Sequence, residues 1–330
     1  MKPAITLLSI ATLIVTACTA VSAGDPLPAA TERFAGTTDE VPDFQRHLVP
    51  LLGKLGCNGR ACHGSFQGQA GFRLSLFGYD FAMDHEGLSQ RVDTDDPAAS
   101  YALEKATLAT EHKGGKRMEP GSWEYNVFLK WIAAGAEGVA DDAPKLVRLH
   151  VTPAEILFAD ESETAQLNAV AEWSDGTLED VTPLCRFQSN DTQVTTITAE
   201  GLVSAGSPGD SHVVAFYDNA VVPIPVIRPV SDQTGENYPQ IAASTPLDAL
   251  VLQKLSKLGI VPSEAADDAQ FLRRVSLDLA GTLPTADQVR KFLEDSSPDK
   301  RAAKIDELLE TPAYAAWWAT RLCDFTGNSD

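Results

Sequence analysis

The sequence predicts a multidomain chain: a small all-α region, an all-β sandwich, and a second all-α region behind an export signal. Three observations predict this division. Apolar residues recur at three- and four-residue steps within 41–140, change to short alternating runs separated by turn residues over 145–229, and return to helical spacing from 246 onward. A chain of 330 residues with 44% hydrophobic content can bury more than one core.

Residues 1–23 start with Lys2, continue through an apolar run from Ala4 to Val15 and end in small residues, which is the pattern of a secretory signal too short to span a membrane. Two processing routes fit. Val21-Ser22-Ala23 suits an ordinary signal peptidase, whereas Val15-Thr16-Ala17-Cys18 resembles a lipobox that would place a lipid on Cys18 and supply the membrane attachment. Either way the chain is expected to be exported, to the periplasm or the cell surface. The formal charge of -20 becomes one unit more negative when Lys2, the only charge in that segment, is removed. No basic stripe is available to overcome phosphate repulsion, so nucleic acid is excluded as a partner.

Residues 24–40 are polar and carry Pro and Thr without periodicity, so they read as a flexible linker. From Val41 the residues Phe44, Leu48, Leu51, Leu52 and Leu55 mark a helix ending at Gly56. Directly after it comes Cys57-Asn58-Gly59-Arg60-Ala61-Cys62-His63, two thiols followed at once by an imidazole. This spacing is a stretched form of the c-type haem attachment site, with four residues between the cysteines where the ordinary form has two. The reading expects covalent haem c on Cys57 and Cys62 with His63 as proximal iron ligand and a role in single-electron transfer to an unidentified redox partner. A local Cys57–Cys62 disulfide is the alternative in an oxidising compartment, and zinc ranks lower because a fourth ligand at typical spacing is missing.

A second helix is predicted after Pro120-Gly121, capped by Ser122 and carrying Trp123, Val127, Phe128, Trp131 and Ile132. Between the two helices stand four side chains able to take the distal iron position: His112 and Met118, and also Met83 and His85. Cys185 and Cys323, each in apolar sequence, read as small core residues.

The segments Cys57 to Gly64, Gly71-Phe72-Arg73-Leu74-Ser75-Leu76-Phe77-Gly78-Tyr79-Asp80 and His112-Lys113-Gly114-Gly115-Lys116-Arg117 resemble the cytochrome c-like domain of large secreted planctomycete proteins. That resemblance implies a stretched attachment motif as the norm and favours His112 as distal ligand, with Met118 as the alternative.

From about 145 to 229, runs such as Leu146–Val151, Thr164–Ala171 and Ser211–Tyr217 are divided by Ser174-Asp175-Gly176, Ala199-Glu200-Gly201 and Ser207-Pro208-Gly209-Asp210, which predicts a small β-sandwich. Trp173-Ser174-Asp175-Gly176-Thr177 with Gly201-Leu202-Val203-Ser204-Ala205-Gly206 is similar to the bacterial Ig-like group 2 domain. The resemblance implies a spacer or adhesive module with cell-surface or glycan contacts.

After a linker over 230–245, helical stripes are predicted on Leu247, Leu250, Val251, Leu255 and Leu258, then on Phe271, Val275 and Leu279, then from a Thr285 cap, then through Ile305, Leu308 and Leu309. Phe271 to Gly281 and Pro298-Asp299-Lys300-Arg301 resemble the uncharacterised helical domain that follows in the same proteins; members continue past this point, which implies that 246–330 is the N-terminal part of such a domain. No nucleophile elbow or phosphate loop appears, and the sequence makes no case for catalysis. A surface protein of structural or glycan-binding character, with the disulfide and without haem, is therefore the competing reading.

Overall fold

The structure, a computed structural model, describes residues 24–327 apart from Thr37 and Ser65. The export signal and Cys18 lie outside the described residues. The chain combines helical and β regions in two compact units, one ending at Ile260 and one beginning at Val261.

The first unit begins with a short helix, α1 (Ala30–Arg33), and here the structure corrects the expected linker. Ala30 and Phe34 are fully buried, and Leu27 pairs with the backbone on both sides of Glu179, its N–H donating to Leu178 O and its carbonyl accepting from the Asp180 N–H. Two apolar side chains, an edge-strand pairing and the Asn126 amide donating to Phe34 O at 2.9 Å help hold a segment whose composition is that of a tether.

The predicted helix at 41–56 forms in two parts. Asp43 caps a π-helical turn, Phe44–Leu48, by accepting from the Arg46 N–H at 2.7 Å, and α2 (Val49–Lys54) follows directly. Gly56 turns the chain at φ 76° into the Cys57–Gly64 loop. Gly64 is required there, since a Cβ would lie 1.9 Å from the Asn58 carbonyl oxygen. Beyond it come α3 (Phe81–Ser89), α4 (Tyr101–Thr107) and α5 (Trp123–Ala133), the last capped by Ser122 as its sequence predicts. Phe44, Leu48, Leu51, Leu88, Leu103, Val127, Trp131 and Ile132 form their common core.

The β region follows as ten strands: β1 (Leu146–Thr152), β2 (Ile156–Leu157), β3 (Thr164–Gln166), β4 (Asn168–Trp173), β5 (Leu178–Asp180), β6 (Arg186–Ser189), β7 (Thr195–Ile197), β8 (Leu202–Ala205), β9 (Gly209–Tyr217) and β10 (Ala220–Arg228). They form three sheets, in the orders β1-β4-β5, β2-β10-β9-β6 and β3-β8-β7. The run 164–171, read as one strand, is split. Leu167, fully buried, donates its N–H to Gly201 O, so that β3 and β4 enter different sheets. Trp173 of β4 meets Tyr217 of β9 edge-on at 6.3 Å, joining two of the sheets through the core.

α6 (Pro246–Leu258) closes this unit under a Thr245–Asp248 capping box, and Lys257 pairs with Glu155 at 2.7 Å. The second unit holds α7 (Asp268–Ala280), α8 (Ala286–Glu294), α9 (Lys300–Leu309) and α10 (Pro312–Thr326) around Leu272, Phe292 and Leu308. Thr285 forms the predicted cap of α8, reciprocated by Gln288.

Candidate functional site

The Cys57–His63 loop leaves α2 with its own hydrogen bonds: the His63 N–H reaches Cys57 O at 2.9 Å and the Cys62 N–H reaches Gly59 O at 3.0 Å. Both cysteines are free thiols and half-buried. Arg117 extends across from the loop before α5, donating from Nη1 to Leu55 O at 3.2 Å and lying with Nη2 3.9 Å from Cys62 Sγ. Burial pushes the Cys57 thiol up to about 11 in spite of the Arg117 charge, so it is held protonated and a weak nucleophile at neutral pH.

The sequence-predicted residues separate into two groups. His63 and His112 stand with parallel rings, centroids 6.3 Å apart. Each is tied by Nδ1 to a backbone carbonyl, His63 to Phe72 O at 3.1 Å and His112 to Gly115 O at 2.9 Å. Burial pushes the His63 imidazole below its ordinary range, and His112 and Arg91 add to the effect. Met118 and His85 are elsewhere: Met118 is a core residue, 6% exposed, and His85 packs edge-on against Phe44 with Nε2 bonded to Ala136 O at 2.8 Å. Met83 lies in the first turn of α3 and makes its N–H available to the Asp80 cap. Cys185 is fully buried and its thiol is pushed up by burial, as a core residue should be, whereas Cys323 is half-exposed on α10.

Sequence reasoning missed a buried polar network between the helical region and the strands. Glu179 of β5, 1% exposed, accepts at one oxygen from Arg33 Nη1 at 2.6 Å and from His47 Nε2 at 2.8 Å. The Asp43 N–H donates to His47 Nδ1 at 2.8 Å, which fixes the neutral ring as the tautomer protonated on Nε2. Arg33 also pairs with Glu40. Burial would raise the Glu179 carboxyl, but the His47 and Arg33 bonds outweigh it and hold it below the usual range. Around this centre Gln45 Nε2 donates to Asp218 at 2.7 Å, Arg46 lies over Trp173 at 4.4 Å and bonds Asp175 at 2.8 Å, and the Tyr217 hydroxyl donates to Arg46 O at 2.7 Å. The signal available in the sequence is a polar run, Gln45-Arg46-His47, inside an otherwise apolar stripe.

Comparison with known proteins covers the chain unevenly. Residues 246–330 match the sequence model of the family PSCyt2, described as "Protein of unknown function (DUF1549)". No curated protein matches the sequence. Among solved structures, domains 4 and 5 of the S-layer protein SbsC are similar at 16% identity, covering 26% of this chain and 53% of that one, with a TM-score of 0.23. Domains 5–6 of the same protein are similar at 16% identity over 28% of this chain and 48% of that one, with a TM-score of 0.24. The chain spans about half the length of each.

These findings correct the haem reading. Among the described residues no group of three or more His, Cys, Asp or Glu side chains is placed to hold a metal ion, and the family model matched over residues 246–330 is described as one of unknown function. The local chemistry accords with the correction: Arg117 flanks Cys62, Cys57 is a half-buried thiol held protonated, and Met118 belongs to the core. The assignment of the chain as a cytochrome that transfers single electrons is withdrawn.

Proposed function

We propose that this is an exported cell-surface protein of structural or glycan-binding character, in which an Ig-like sandwich of the bacterial group 2 kind is fixed to a helical module. The observation that carries the reading is the Arg33–Glu179–His47 centre with its ring of Gln45, Arg46 and Tyr217 contacts, which ties strands and helices into one unit. A spacer or adhesive element gains from such a joint, because it transmits load and presents a fixed surface. The signal pattern of residues 1–23 supports export, and the turn sequences of the sandwich support the Ig-like assignment.

In this reading Cys57 and Cys62 close a local disulfide after export, the two thiols passing two protons and two electrons to a protein disulfide of the envelope. The experiment is fractionation of cells producing the full chain, followed by protease treatment of intact cells. Recovery in the envelope fraction with loss on surface proteolysis is expected. Retention in the cytoplasm, or resistance in intact cells with cleavage only after lysis, overturns the surface assignment.

A further inference from the structure

A cleft of about 400 Å³ opens between the helical region and the strands of the first unit, away from the Cys57–His63 loop. Its walls include Trp123 at the start of α5, Lys54 at the end of α2, and Asn168, Asp180 and Glu200 of the strand region, with Glu124 beside the Trp. The volume falls in the range that holds small ligands, roughly 300–1,000 Å³.

The polar groups in this cleft are only partly used by the protein itself. The Trp123 indole N–H has no partner among the described residues and is not buried. Asn168 accepts a long bond from the Thr182 hydroxyl at 3.3 Å through Oδ1, and its amide N–H groups are unspent. Asp180 accepts from the Thr182 N–H through Oδ1 at 2.9 Å, and among the described residues its Oδ2 and the Glu124 and Glu200 carboxylates take no hydrogen bond. Lys54 is anchored on Ala199 O at 2.6 Å, and burial lowers its pKa, with Glu200 and Glu124 opposing the shift. The lining thus offers donors (indole N–H, amide N–H, ammonium) and acceptors (three carboxylates) around one aromatic ring.

A hydroxyl both donates and accepts, so a ring of hydroxyls on an apolar face uses such a mixed set in full. A purely cationic ligand would use the carboxylates and the aromatic ring but would leave the indole and amide N–H donors without an acceptor. A phosphorylated or carboxylated ligand would face three carboxylates. We infer that the cleft binds a neutral oligosaccharide, one sugar ring lying on Trp123 and its hydroxyls bonding to Glu124, Asn168 and Asp180. This rests on the surface, glycan-facing reading above and gives it a site.

The test uses the chain from residue 24 to 330 titrated with cellotetraose and with tri-N-acetylchitotriose, followed by tryptophan fluorescence and calorimetry, with an oligolysine peptide as the cationic arm. Saturable binding of at least one saccharide is expected, weakened about tenfold or more by Trp123→Ala and by Glu124→Gln, and largely kept by Trp123→Phe. Glu124→Gln guards against misfolding, since a neutral isostere at a half-exposed helix position leaves the fold intact by circular dichroism. Absence of saccharide binding up to about 10 mM, binding unaffected by Glu124→Gln and Trp123→Ala, or binding of oligolysine alone each overturns the inference. Failure of this titration with surface exposure intact removes the cleft and leaves the surface assignment. Cytoplasmic retention with saccharide binding intact does the reverse.

Discussion

Replacing Glu179 with Ala removes the acceptor that Arg33 and His47 share, and the structure sets the size of the effect. The carboxylate is 1% exposed and the Arg33 side chain 10%, so neither freed donor gains full access to water. Leaving a buried charge without its partner costs about 3–5 kcal/mol. Arg33 keeps Glu40, and that places the expected loss at the low end, about 3 kcal/mol for Glu179→Ala. Glu179→Gln keeps one acceptor oxygen while losing the charge, for about 2 kcal/mol.

The assay is amide hydrogen exchange at Leu27 and Asp180, whose N–H groups bond to Leu178 O and Leu27 O beside the network. Local opening by about 3 kcal/mol speeds their exchange roughly a hundredfold. The pH dependence carries an independent signature. Glu179 titrates below the ordinary carboxylate range when folded, so its contribution is complete above that range and is lost as pH falls through the folded value; the unfolded chain takes up the proton first. Glu179→Gln should flatten this acid slope. Exchange within fivefold of the parent in Glu179→Ala would refute the claim that this centre holds the two regions together.

Other outcomes follow from single residues. Protein exported through an oxidising compartment should be lighter by two hydrogens in the peptide holding Cys57 and Cys62, and reduction should cost about 2 kcal/mol for so short a loop; alkylation of Cys57 and Cys62 themselves in unreduced, denatured protein, read by peptide mapping, would refute the pairing. Met118→Leu, a swap of similar volume in the core, should cost under about 1.5 kcal/mol by denaturant midpoint, and a larger loss would show that the thioether does more than pack. Gly64→Ala drives a Cβ to 1.9 Å from Asn58 O, backbone that cannot swing aside, and should cost about 1–3 kcal/mol in thermal unfolding of the first unit. Gly281→Ala places a Cβ 2.6 Å from Trp317 at a φ of 68°, and should loosen α7 against α10, read as increased exposure of Trp317 to a quencher.

The regular elements were legible because their signals are local. Ser122, Thr245 and Thr285 cap the helices their sequences announce, and Gly176 and Gly201 turn the strands at positive φ where Asp-Gly and Glu-Gly stand. The joint between the regions was not legible, because it depends on partners far apart in sequence. Glu179 lies 146 residues from Arg33 and 132 from His47, and as a carboxylate beside Asp180 on a three-residue strand it reads as a solvated side chain. Composition misled in the same way at 24–34, where two buried residues and one strand pairing outweigh a polar surround. The thiol–imidazole motif misled for a different reason. A motif specifies which atoms are near one another along the chain, and the use made of them depends on what packs beside them; Arg117, 55 residues from Cys62, is part of that setting.

The π-helical turn connects these lessons to the proposed role. In an α-helix, three successive side chains point to widely different sides, and Gln45, Arg46 and His47 could not all serve one neighbour. The wider turn, with the Leu48 N–H reaching Asp43 O at 3.3 Å, brings all three to the strands: Gln45 to Asp218, Arg46 to Trp173 and Asp175, His47 to Glu179. The same Asp43 that caps the turn through its side chain fixes the His47 tautomer through its N–H, so helix geometry and ring protonation are set by one residue. Because α2 continues from this turn to Lys54, any shift of the joint moves Lys54 relative to Asp180 and Glu200 across the cleft. Loosening the Glu179 centre should therefore weaken saccharide binding in the cleft without removing any group that lines it, and Glu179→Gln tested in the same titration separates a site that depends on the joint from one built on α5 alone.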